Sequence, residues 1–181
     1  MKKYILSYAL VCLVAVMAYA QELPIDNKTG KITFLEVVET PGLTAKDLYK
    51  IAKDWGQAKG YKLSKDNEAE GELAFDITLP VDYERTKGTV EKSKVTYKFY
   101  VFTKEGKYRY ILTDLFHTGS GPNLTGGKLE SGVPACSLSG INAGNWILIK
   151  KKAQAGAEAT IADFKRVVKE AQNDPTKSKD W

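Results

Sequence analysis

From Lys31 onward the chain switches between two hydrophobic periods. Lys31–Glu39 is rich in branched and aromatic residues and stops at Pro41-Gly42, which predicts a strand. Thr44 then opens a helix. It is a good N-cap, Asp47 stands in capping-box position, and Leu43 and Leu48 occupy the two places of a hydrophobic staple. Leu48, Ile51, Ala52 and Trp55 share one face, while Lys46, Lys50, Lys53 and Asp54 lie opposite, so this helix covers a sheet and ends near Gly60. Glu72–Asp82 alternates with period two, with Leu73, Phe75, Ile77, Leu79 and Val81 on one side of a half-buried antiparallel strand. Ser93–Thr103 and Lys107–His117 form a hairpin through Lys104-Glu105-Gly106, and Tyr61–Ser64 adds a short strand. Trp146, Ile149, Ala153, Ala157, Ile161, Phe164, Val168 and Ala171 recur at three- and four-residue steps, which predicts one long C-terminal helix. Gly156 weakens it by about 1 kcal/mol relative to alanine, and Asn173-Asp174-Pro175 ends it.

The order β-α-β-β-β-(β)-α indicates an α+β fold, a curved antiparallel sheet with both helices packed on one face. Residues 118–145 break the pattern with seven glycines and two prolines and almost no periodicity. A loop of that length in a compact domain is functional or disordered, and composition favours disorder.

Upstream, Lys2-Lys3, an apolar run from Tyr4 to Met17 and the small-x-small triplet Ala18-Tyr19-Ala20 read as a cleavable secretory signal over residues 1–20. The expected product is a single domain over 21–175, with the Gly-rich loop as an insertion and 176–181 as a polar tail, placed in the periplasm or secreted. Removing the signal lowers the formal charge from +5 to about +3, with basic and acidic residues interspersed, so no nucleic-acid patch is indicated. No second apolar run approaches the roughly 20 residues that span a bilayer. Cys12 falls in the signal, which leaves Cys136 alone and excludes an internal disulfide in the mature chain.

Leu23–Glu39, Leu48–Trp55 and the paired segments Tyr97–Phe102 and Tyr108–His117 together resemble the bacterial domain of unknown function 4468, described as having a TBP-like fold. The resemblance covers roughly residues 23–118 and then the C-terminal helix; the 118–145 segment is peculiar to this chain. It implies an envelope protein of Bacteroidetes-type bacteria and brings no catalytic residue with it. The TBP-like label describes topology and does not imply DNA binding.

Candidate chemistry is sparse. His117 is the single histidine, too few for a multi-histidine metal site. With Asp114 and Cys136 it supplies the residue types of a nucleophilic triad, but nothing in the spacing brings them together, and a strand-end histidine is the simpler reading. Asp66, Glu68 and Glu70 imitate the start of a calcium loop, yet the twelfth position is Ile77 where a bidentate glutamate is needed. Gly119-Ser120-Gly121-Pro122 lacks the lysine of a phosphate loop. No enzyme activity, catalytic set, metal site or cofactor is therefore expected.

Two non-enzymatic readings remain. In the first, Tyr97, Tyr100, Tyr108, Tyr110 and Arg109 present an aromatic sheet face to an envelope protein, peptide or glycan; cross-strand pairing that merely stabilises the sheet explains the same residues. In the second, the sheet and C-terminal helix enclose a cavity for an apolar small molecule, lined by Leu73, Phe75, Ile77, Leu79, Trp146, Ile149 and Phe164.

Overall fold

The computed structural model describes residues 23–174; the signal reading and the polar tail lie outside them. Eleven of the elements matter here. They are β1 (Thr33–Glu39), α1 (Ala45–Ala58), β2 (Lys62–Asn67), β3 (Glu72–Pro80), β4 (Tyr83–Thr86), β5 (Thr89–Glu91), β6 (Lys94–Lys104), β7 (Lys107–Thr118), β8 (Gly127–Lys128), α2 (Ser137–Gly140) and α3 (Ala143–Gln172). The main sheet runs β1-β7-β6-β3-β2, every pair antiparallel, with β8 beside the far end of β7. Helices α1 and α3 pack against each other, and α1 lies over β3, β6 and β7. This is the α+β architecture that the alternation predicts.

Local signals account for the helices. At α1 the Thr44 side chain accepts the Asp47 N–H at 3.1 Å while the Asp47 carboxylate accepts the Thr44 N–H at 3.3 Å, a complete capping box. Asn142 caps α3 in the same way, through the Asn145 N–H at 2.8 Å.

The centre of the core is Trp55. Its ring lies 4.9 Å from Phe164, 5.4 Å from Phe99 and 5.8 Å from Phe75. These contacts tie α1 and α3 to each other and to β3 and β6 beneath them. The indole N–H donates to Asp163 at 2.9 Å, and Asp163 also pairs with Lys59 and Arg166, so the polar atom of a buried ring is satisfied at the helix–helix seam.

β7 carries one residue more than β6 where Thr96 pairs with Phe116 and Lys98 with Thr113. Asp114 takes φ 60° there, as a bulge residue does. The extra residue inverts the side-chain alternation: Tyr108, Tyr110 and Leu112 are buried before it, Leu115 and His117 after it. His117 thereby enters the core.

One element goes unannounced in the sequence and one expectation is corrected. Tyr83–Glu91 forms a small β4–β5 hairpin that the pattern does not announce, because its strands are too short to show alternation. The 118–145 segment, expected to be disordered, is ordered. Leu129 and Ile141 are buried, the Gly126 N–H donates to His117 Nδ1 at 2.9 Å, and the Trp146 indole donates to the Ser131 carbonyl at 3.1 Å. The segment closes the end of the core beyond the bulge.

Candidate functional site

With both helices on one side, the other face of the main sheet is left without a covering layer. Strand register sorts the side chains. Leu35 lies opposite Ile111, which lies opposite Tyr100, which lies opposite Ala74. One step along, Val37, Arg109, Phe102 and Glu72 form a second row, and on the other side Thr33, Thr113, Lys98 and Asp76 form a third. Residues directly opposite share a face, so three rows cross four strands on the helix-free side.

The middle of this face is apolar. Leu35 is 56% and Val37 51% exposed, Tyr100, Phe102 and Ile111 are half-buried, and Phe116 is 42% exposed beyond the bulge. Tyr100 and Phe102 stack with centroids 6.4 Å apart, and the Arg109 guanidinium lies 4.4 Å from the Phe102 centroid. The rim is charged. Lys98 pairs with Asp76 at 2.8 Å, and Lys65 pairs with Glu72. Lys98 holds the Asp76 carboxyl below its usual range through that hydrogen bond.

Of the five residues expected on a binding face, the structure leaves Tyr100 and Arg109 there. Tyr97, Tyr108 and Tyr110 are buried on the opposite, helix-covered face and are not available to a partner. The reason is parity: β6 buries its odd-numbered residues and β7, before the bulge, its even-numbered ones. The Tyr97 hydroxyl hydrogen-bonds Thr160 on α3 at 2.8 Å, and desolvation pushes its pKa up to about 12. The Tyr110 hydroxyl donates to Glu36 at 2.8 Å. Leu35, Val37, Phe102 and Ile111 belong to the face and were not among the five. The signal that finds them is cross-strand register, which needs the hairpin alignment as well as the period.

The seven residues of the cavity reading are packing residues. Phe75 and Ile149 are completely buried, Leu73, Ile77, Trp146 and Phe164 nearly so, and Leu79 approaches Gly156 so closely that a Cβ there would lie 2.2 Å from its Cδ2. The layer in which a ligand would sit is filled by Trp55 and its aromatic neighbours.

The nucleophile types are not assembled into a triad. His117 Nδ1 is occupied by the Gly126 N–H, Asp114 pairs with Lys31 at 2.6 Å outside the core, and Cys136 lines a separate polar cleft with Arg85, Asn123, Leu124, Ser139 and Gly140. Burial pushes the His117 pKa down to about 4, which suits a neutral core imidazole. Among the described residues no cluster of three His, Cys, Asp or Glu side chains could hold a metal ion, and no helix is long and apolar enough to cross a membrane.

Comparison with known proteins agrees with this geometry. Residues 34–118 match the family model described as "Domain of unknown function (DUF4468) with TBP-like fold". A crystal structure of a DUF4468 family protein from Bacteroides ovatus superposes with a TM-score of 0.61 at 16% identity, covering 80% of this chain and 90% of that one. A TBP-like protein from Parabacteroides distasonis gives a TM-score of 0.61 at 15% identity, with 81% and 97% covered. At such identities the shared property is the fold. No curated protein matches this sequence.

Proposed function

We propose that this chain, whose residues 34–118 are a DUF4468 domain with a TBP-like fold, is a non-catalytic binding module of the bacterial cell envelope. It contacts a protein or peptide through the helix-free face of its sheet. One observation carries the reading: the rows Leu35–Ile111–Tyr100 and Val37–Arg109–Phe102 place an apolar strip in solvent across three adjacent strands. An antiparallel sheet with one solvated face ordinarily shows polar residues there, and contiguous exposed apolar surface rimmed by charge marks an interaction site. The aliphatic half of the strip favours a polypeptide over a glycan, because Leu35, Val37 and Ile111 offer a sugar no side-chain hydrogen bonds. The signal-like pattern of Met1–Ala20 supports placement in the envelope.

The test is capture from native envelope by the full chain and by Tyr100→Ser and Phe102→Ser variants whose circular dichroism matches the parent. Loss of the captured partner in both variants supports the reading. Capture that survives both variants sinks it.

A further inference from the structure

Exposed apolar side chains gather at a second place, away from the open face. Val90, Val133, Leu138, Ile147 and Leu148 are all exposed, and all lie at the Lys94–Thr118 end of the sheet. They come from separate stretches that polar contacts draw together. The Asn145 side-chain amide donates to the Glu84 carbonyl at 3.1 Å and Lys152 Nζ donates to the Asp82 carbonyl, which lays the start of α3 against β4. Leu148 falls between those two anchors on the same stripe of the helix. Val90 lies opposite Glu84 across the β4–β5 hairpin. On the other flank the Trp146 indole and Lys150 Nζ both donate to the Ser131 carbonyl, at 3.1 and 2.7 Å, two residues before Val133. Arg85 lines one cleft with Cys136, Ser139 and Gly140, so α2, which carries Leu138, meets β4.

The same end is basic. Residues 82–94 and 119–152 hold eight bases and four acids, a net of +4, against about +3 for the whole chain without residues 1–20. Each of the four acids is engaged: Asp82 by Lys92 at 2.7 Å, Glu84 by the Gly88 N–H at 2.7 Å, Glu91 by the Ser120 N–H at 3.3 Å and Glu130 by the Ile32 N–H at 2.9 Å. Arg85, Lys87 and Lys151 are exposed and make no ion pair among the described residues. Lys151 stands one helical turn from both Ile147 and Leu148, so base and aliphatic groups share one outward patch. Both ends of the described chain head away from it. Ile25 and Pro24 run beside Ile32 and Thr33 in the direction of Glu39, at the other end of the sheet. The Gln172 amide reaches the Pro41 carbonyl at 3.0 Å, about 38 Å of helix from Ile147.

We propose that this end of the molecule docks on an anionic lipid surface. Ile147, Leu148 and Val90 enter the boundary between headgroups and acyl chains, while Arg85, Lys87 and Lys151 take the headgroup phosphates. Protruding aliphatic groups set among unpaired bases suit that boundary, where burial of apolar area and attraction to anionic lipid add. A single-stranded nucleic acid calls for exposed aromatic rings to stack on, and none of the five exposed apolar residues is aromatic. Beyond Lys152 the exposed positions of α3 pass to Ala155, Glu158 and Ala159, so the helix meets the surface by its first turns only. The patch is separate from the open sheet face, and the inference goes beyond the reading of that face.

The test mixes the full chain with vesicles of phosphatidylethanolamine and phosphatidylglycerol at about 3:1, or with vesicles of phosphatidylcholine alone, and follows lysine acetylation residue by residue by mass spectrometry. The anionic vesicles are expected to slow acetylation of Lys87 and Lys151 about tenfold. The exposed Lys46 and Lys50 of α1, at the far end of the sheet, keep their rates. Phosphatidylcholine gives neither effect. Protection is expected to be lost when Ile147→Gln and Leu148→Gln are combined, exposed changes to a residue that a helix accepts. It is also lost at Lys151 when Arg85→Glu and Lys87→Glu are combined. Lys87 and Lys151 reacting as fast with anionic vesicles as without them overturns the proposal. So does protection that phosphatidylcholine gives equally, and so does protection that survives both pairs of substitutions. Protection of the two lysines by single-stranded DNA but not by vesicles overturns it and assigns the patch to nucleic acid.

Discussion

The Arg109 guanidinium lies 4.4 Å from the centroid of the Phe102 ring, directly across from it on the neighbouring strand. Arg109 is exposed and Phe102 half-buried, and at an exposed site a cation over an aromatic ring contributes about 0.5–1 kcal/mol. Its larger consequence is order: the guanidinium holds the ring in one place at the centre of the apolar strip. Arg109→Ala is expected to lower stability by about 1 kcal/mol or less and to weaken partner capture much more than that. Thermal denaturation and binding of the same variant check the two halves together.

Gly56 lies inside α1, where alanine is ordinarily better by about 1 kcal/mol. The structure reverses that expectation. A Cβ at Gly56 would fall 2.1 Å from Cε1 of Phe75, a fully buried ring held by Trp55. Gly56→Ala is expected to destabilise by about 1–3 kcal/mol, the usual range for overpacking, and a urea titration gives the sign.

His117 titrates with a definite sign. Its pKa is pushed from 6.5 to about 4 by burial, against a smaller opposing pull from Glu91. Below pH 6.5 the unfolded chain takes up a proton that the folded chain refuses. Stability from this residue is complete above 6.5 and is lost as pH falls toward 4, by about 3 kcal/mol in all. Protonation also turns Nδ1 from acceptor to donor and breaks the bond from Gly126. Urea midpoints across this window are expected to fall with pH in the parent and to lose that component of the slope in His117→Phe.

Asp163 accepts from Lys59, Arg166 and Trp55 at 2.8–2.9 Å, and these hydrogen bonds, that of Lys59 foremost, hold its carboxyl well below the usual aspartate range. Its contribution is therefore present above the unfolded value of 3.8 and is lost as pH falls below it, a window distinct from that of His117. Asp163→Ala leaves the buried indole N–H without its acceptor, which costs about 1–3 kcal/mol. Thermal melts at neutral pH measure it.

The sequence shows the scaffold more readily than the surface. The Thr44–Asp47 box, the 3-4 stripe of α3 and the alternation of Glu72–Asp82 are local signals; the first two appear where the pattern puts them, and the strand ends two residues early, at Pro80. The bulge at Asp114 is not local. It depends on how β7 aligns with β6, and it decides that His117 points inward and Phe116 outward. The same dependence explains two of the misplaced tyrosines. Tyr97 falls on the face opposite to Tyr100 by the period of β6 alone, whereas Tyr108 and Tyr110 are sent to the helix side by the register of β7 against β6. The order of residues 119–142 rests on single contacts such as Gly126 to His117, which no periodicity encodes.

The open-face account is tested most directly by photo-crosslinking in the bacterium that makes the protein. A benzophenone amino acid is placed at Tyr100 on the helix-free face and, in a separate protein, at the exposed Lys151 on α3. The account expects a discrete polypeptide adduct from position 100 and none from position 151. Adducts from 151 with none from 100 would contradict it.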